Sequence, residues 1–87
     1  MKFQGAVVKE QGVTFAIVVV KPQILASPIQ SETATKKFAT VFPGVPIILM
    51  AQDGRGIATY SGRKDIVRFL ANLRISQIPW KEYTLTW

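Results

Sequence analysis

The stretch "VTFAIVVV", Val13 to Val20, limits this chain more than any other. Only Thr14 interrupts its apolar residues, and β-branched and aromatic side chains without a turn former predict a strand. Near-continuous apolarity predicts a central strand covered on both faces. At eight residues it falls far short of the ~20 that a membrane span needs. "FQGAVVK" just before it has the same character. The short connection "EQG" places Gly12 where a positive φ is tolerated, so the pair is expected to form a hairpin.

The rest of the chain must complete a core around that strand with few means. Eighty-seven residues make a single domain, 1–87. With no Cys, disulfide staples and thiolate metal sites are excluded. A dense apolar core and self-association remain as devices for stabilising so small a unit. Hydrophobic content of 48% suits either, and a homo-oligomer is the expectation. Lys2 begins a basic start, but Gln4, Lys9 and Glu10 interrupt any apolar signal core, so a cytoplasmic protein is expected.

After Val20 the segment "KPQILA" leaves the sheet, since Pro22 cannot donate to a ladder. Ser27 is positioned as an N-cap, with Pro28 at the first helical position and Gln30 at capping-box spacing; Ser31 with Glu32 offers a second start. Ala34, Phe38, Val41 and Phe42 then recur on one helical face, before Pro43-Gly44. "VPIILMA" and "IATYSG" form a second hairpin. "GRKDIVRFLANL" reads as a second helix, capped by Gly62 or Ser61, with Ile66, Phe69, Leu70 and Leu73 buried. "EYTLTW" alternates as a terminal strand.

The order is therefore ββαββαβ, an α/β domain of the α+β type. It predicts a mixed sheet of four or five strands with two helices packed mainly on one face. The first hairpin already occupies one edge of the second strand. The terminal strand must therefore pair beside the N-terminal strand, apart from the main sheet, or on a second subunit. Trp80, Tyr83, Leu85 and Trp87 in and before that strand are the candidate oligomer interface.

"QDGRG", Gln52 to Gly56, reads as a two-residue turn at Asp53-Gly54 with positive φ, Gly56 easing the exit. Arg55 becomes an exposed cation on its tip. "SGRK" lies one strand away, roughly 15 Å at ~3.3 Å per residue, so the two loops cannot cradle one phosphate.

"RGIATY", Arg55 to Tyr60, resembles the basic-Gly strand start of the RNA recognition motif at Arg55, Gly56 and Ala58. At the two positions where that family carries stacking aromatics this chain has Ile57 and Thr59, which removes ~1–3 kcal/mol per base. Val45 to Leu73 resembles the second half of a thioredoxin-type domain, with its Pro-opened strand, Asp-Gly turn and strand ending in Gly before a helix. Redox chemistry is excluded by the absence of Cys-x-x-Cys, and the preceding half follows another order.

Without His or Cys the commonest general base and the strongest nucleophile are missing. Asp53 and Asp65 are accounted for by a turn and a helix start, and no spacing suggests paired carboxylates or a metal cage. A non-enzymatic domain without cofactor, metal or membrane attachment is expected. The charge supplies the sharper reading. Residues 55–81 carry Arg55, Arg63, Lys64, Arg68, Arg74 and Lys81 against Asp65 alone, while the whole chain carries +6. Lys64 and Arg68 are i, i+4 on the side opposite Ile66 and Leu70, flanked by Arg63 and Arg74. Asp65, three residues before Arg68, is placed to relieve part of their mutual repulsion. Arg55, Arg63, Lys64, Arg68 and Arg74 are thus the candidate nucleic-acid-binding residues. The alternative is a protein-interaction or homo-oligomeric assembly module whose basic charge is only solvated surface.

Overall fold

Gly12 has φ 79°, in the left-handed region, where the first hairpin reverses. On either side of it lie β1 (Lys2–Glu10) and β2 (Val13–Val19), antiparallel from Gly5↔Val18 to Glu10↔Val13. The molecule is described by a computed structural model covering residues 2–10 and 12–85. β3 (Ile47–Gln52) pairs parallel with β2, and β4 (Ala58–Ser61) antiparallel with β3. β5 (Lys81–Thr84) pairs antiparallel with β1, from Lys2↔Thr84 to Gly5↔Lys81. The five strands stand in the order β4-β3-β2-β1-β5. Of the three places open to the terminal strand, it takes the one beside the N-terminal strand of its own chain.

The fold is the expected α/β class with a mixed five-stranded sheet, but its helices are not gathered on one face. β3 makes this plain, since its residues alternate between two cores. Ile47 and Leu49 join Phe3, Ala16, Val18, Phe38 and Leu85 on one side. Ile48 and Met50 join Phe15, Ile17, Ile66 and Leu70 on the other. Topology is the reason. The parallel β2–β3 connection places its helices over one face. β4 and β5 are opposite edges, so the segment joining them spans the sheet and fills the other.

The β2–β3 connection holds two helices where the sequence predicts one. α1 (Pro22–Ala26) is a single short turn with Pro22 at its start, in the segment expected only to leave the sheet. α2 (Pro28–Ala39) begins as expected: Ser27 is its N-cap, and the Ser27 hydroxyl accepts from the Gln30 N–H at 3.3 Å. Phe38 and Phe42 are buried, and Phe42 still donates to the Phe38 carbonyl beyond the helix end. Phe3 lies 4.8 Å from Phe38 and 5.5 Å from Tyr83 between ring centroids, an aromatic cluster that seals this face.

The second hairpin corrects the expected turn. Gly54 does not take positive φ; Gly56 does, at 81°. The Gly56 N–H donates to the Asp53 carbonyl and the Asp53 N–H to the Ile57 carbonyl, both at 3.0 Å. The loop is thus a β-turn followed by a left-handed glycine, one residue longer than a two-residue turn. Asp53 Oδ1 holds it from inside, accepting from the N–H groups of Arg55 at 2.8 Å and Ile57 at 3.0 Å. Among the described residues no helix is long and apolar enough to cross a membrane.

Candidate nucleic-acid interface

α3 (Lys64–Leu70) is built from an amphipathic sequence and a close approach to the sheet. Gly62 makes the approach. A Cβ there would stand 2.5 Å from Ile48 Cδ1 and 3.1 Å from the Ile47 carbonyl oxygen, and its φ of 152° disfavours any side chain. Neither Gly62 nor Ser61 caps the helix, contrary to expectation. The N-cap position falls on Arg63, whose side chain makes no capping bond. Ile66 and Leu70 are buried, and the half-buried Phe69 meets Phe15 edge to face at 6.4 Å. Leu73, expected to extend that stripe, lies past the helix and packs half-buried against the same core.

With Ile66 and Leu70 turned inward, Lys64 and Arg68 stand on the solvent side. They border a shallow cleft of about 500 Å³ together with Tyr60, Ser61 and Gly62. Asp65 does not serve Arg68 as expected. It is held by Arg63 instead, Arg63 Nε donating to Asp65 Oδ1 at 2.8 Å and Arg63 Nη2 to Oδ2 at 2.6 Å. The contact is two-pronged, a planar guanidinium meeting both carboxylate oxygens at once. These hydrogen bonds lower the Asp65 carboxyl to about 2 and raise the Arg63 guanidinium above its ordinary value. Lys64 and Arg68 are left without an acidic partner among the described residues.

The five candidate cations are not one cluster. Arg63, Lys64 and Arg68 share the start and outer side of α3. Arg55 stands on the β3–β4 loop and Arg74 beyond the C-terminal end of α3, both exposed and neither lining the cleft. The Arg74 N–H donates to the Gln77 side chain at 3.0 Å, which starts a 3-10 turn at Ile75–Gln77.

The chain finds no match among protein-family models, curated proteins or solved structures.

Residues expected at an oligomer interface have work inside one chain. Leu85 is 3% exposed in the core beneath α2, and Tyr83 packs between Phe3 and Phe42. Trp80 is half-buried and its indole N–H donates to the Ile75 carbonyl at 3.0 Å. Trp87 lies outside the described residues. Among those described, no three acids stand close enough together to hold a metal ion.

Sequence reading missed Tyr60. Its hydroxyl is buried beside the cleft without a hydrogen-bond partner among the described residues, and burial pushes its phenol upward.

Proposed function

We propose that this domain binds nucleic acid through the outer face of α3, by contacts to phosphates rather than to base edges. The observation that carries the reading is the pairing on that face. Arg63 takes the one acid of residues 55–81, so Lys64 and Arg68 present uncompensated charge from a rigid helix. Phosphate contacts of this kind position a polyanion without reading its sequence. Among the described residues no fully exposed aromatic stands on this face, so stacking on bases contributes little to the affinity.

Titration of single- and double-stranded nucleic acid at low and moderate salt tests the reading. Binding at low salt should weaken as salt rises, with a log–log slope of about −2 to −3 for two or three phosphate contacts. Reversing Lys64 and Arg68 to Glu should abolish it while the fold persists. Absence of low-salt affinity, or affinity insensitive to salt, would end the proposal. A second reading, an assembly module, is favoured by β4, an edge strand without a charged residue beside the exposed Ile57. Concentration-dependent mass by light scattering, lost in Thr59→Lys, would support it.

A further inference from the structure

β4 leaves one side of its backbone open. It stands at the end of the sheet order, with β3 as its neighbour on the inner side. The loop bond from the Asp53 N–H to the Ile57 carbonyl sets the alternation of that ladder. Thr59 and Ser61 continue it, turning their backbone groups to β3, so those of Ala58 and Tyr60 face the open side. Met50, opposite Tyr60, agrees, since its carbonyl accepts from the Val20 N–H on its far side at 2.8 Å. The other edge of the sheet is guarded: β5 carries Lys81 and Glu82, and Glu82 lies 3.6 Å from Lys2. β4 carries no charge, and Ile57 just before it is 58% exposed.

The shallow cleft of about 500 Å³ lies beside this edge. The end of β4 forms one side of it, and Lys64, Val67, Arg68 and Ala71 form the other. Those four stand at i, i+3, i+4 and i+7, one stripe along α3 and its C-cap. Ala58 and Tyr60 also turn their side chains to the α3 side of the sheet. An extended backbone paired with β4 therefore runs along the cleft, and its side chains opposite Ala58 and Tyr60 face the stripe. Val67 and Ala71 give the stripe apolar ground between its two cations. No Asp or Glu lines the cleft. The acids nearest to it are engaged: Asp53 Oδ1 accepts from the N–H groups of Arg55 and Ile57, and Asp65 is held by Arg63.

We propose that β4 takes up an extended acidic peptide of a partner protein as an added strand, its carboxylates facing Lys64 and Arg68. The open ladder requires an extended peptide backbone, and the two cations select the sign of its side chains. A second copy of this chain is a poorer occupant. Two β4 strands paired antiparallel set Arg55 of each chain against the Arg63–Lys64 end of the other, and β4 has no acid to offer in return. The inference shares Lys64 and Arg68 with the nucleic-acid reading but rests on the open edge, which phosphate contacts do not use. Peptide and nucleic acid exclude one another at those two cations.

Amide chemical-shift titration of the full chain with an acetylated, amidated heptapeptide of alternating Glu and Thr tests the proposal, with alternating Lys and Thr as its counterpart. The acidic peptide should saturate one site, move the amides of Val67 and Arg68, and slow hydrogen exchange at the Ala58 and Tyr60 N–H groups. N-methylation of one alternate set of its residues should abolish binding and of the other set should leave it, because a strand turns every second N–H toward its neighbour. Ala58→Pro should weaken binding about fivefold, since that N–H faces the open side; if the variant unfolds, the N-methylated peptides carry the test. Lys64→Glu with Arg68→Glu should weaken it about tenfold. An oligonucleotide should lose affinity in that charge-reversed pair but not in Ala58→Pro, so each reading can fail without the other. Equal effects of the two N-methylation patterns, equal binding of the Lys peptide, or no saturation up to millimolar peptide would each overturn the proposal. So would a concentration-dependent mass of the free chain that Ala58→Pro abolishes, because a second copy would then hold the edge.

Discussion

Arg63 grips Asp65 through two hydrogen bonds, Nε to Oδ1 at 2.8 Å and Nη2 to Oδ2 at 2.6 Å. The pair decides which cations at α3 are left without an acidic partner among the described residues. It neutralises the cation nearest the helix start and leaves Lys64 and Arg68, which the sequence had placed under the influence of the same acid.

Asp65→Asn should therefore strengthen the nucleic-acid binding proposed for this face. The substitution releases Arg63 and removes a like-signed repulsion toward phosphate, so affinity at low salt rises and the salt slope steepens by up to about 0.9. Fluorescence anisotropy at several salt concentrations measures both. Unchanged affinity and slope would mean that Arg63 takes no part.

The same pair sets a pH dependence. Asp65 titrates at about 2, below its ordinary 3.8, because the ionised form is the one Arg63 holds. A carboxyl lowered by folding stabilises the folded state above its unfolded pKa and loses that contribution as pH falls through the folded one. The contact should thus persist from neutral pH down to about 3 and dissolve near 2. The Asp65 side-chain carbon shift, followed by acid titration, reports it directly. A midpoint near 4 would show the pair open in solution.

Gly62→Ala and Gly12→Ala should differ in cost, although both glycines have positive φ. A Cβ at Gly12 meets nothing within 4 Å, so about 1 kcal/mol of backbone strain is expected. At Gly62 the Cβ also collides with Ile48 Cδ1 and crowds the Ile47 carbonyl, and a loss of about 2–4 kcal/mol is expected. Urea denaturation of both variants provides the comparison, and equal losses would refute the close approach.

Tyr60→Phe should be neutral, or should stabilise by up to about 1 kcal/mol, because it removes a buried hydroxyl that has no partner among the described residues. A loss above about 1 kcal/mol by thermal denaturation would reveal a partner for that hydroxyl.

Leu85→Ala should cost about 2–4 kcal/mol, since Leu85 fills the core between β5 and the face covered by α2. The loss should not vary with protein concentration. If it did, this residue would be stabilising an assembly rather than the single chain.

Several elements were legible because the chemistry that makes them is local. Gly12 marks a hairpin that closes at Glu10↔Val13, and Ser27 caps α2 before Pro28. Phe38 and Phe42 are spaced to reach the same core. α1 was not legible: five residues carry too little periodicity to signal a helix, and Ile24 and Leu25 form one because α2 and β3 lie ready to cover them. The loop at Asp53 was misjudged by one residue. Asp-Gly and Gly-x-Gly signals overlap there, and the Asp53 carboxylate favours the longer turn.

By itself, then, the sequence determined the strands, the Ser27 cap of α2, the α/β class and the excess of positive charge after Gly54, since each follows from neighbouring residues. Tertiary structure decided which edge β5 joins, that the helices cover both faces, and that Asp65 serves Arg63. Those outcomes depend on contacts between segments far apart in the chain, or on which of two rotamer-rich cations reaches a carboxylate first in good geometry.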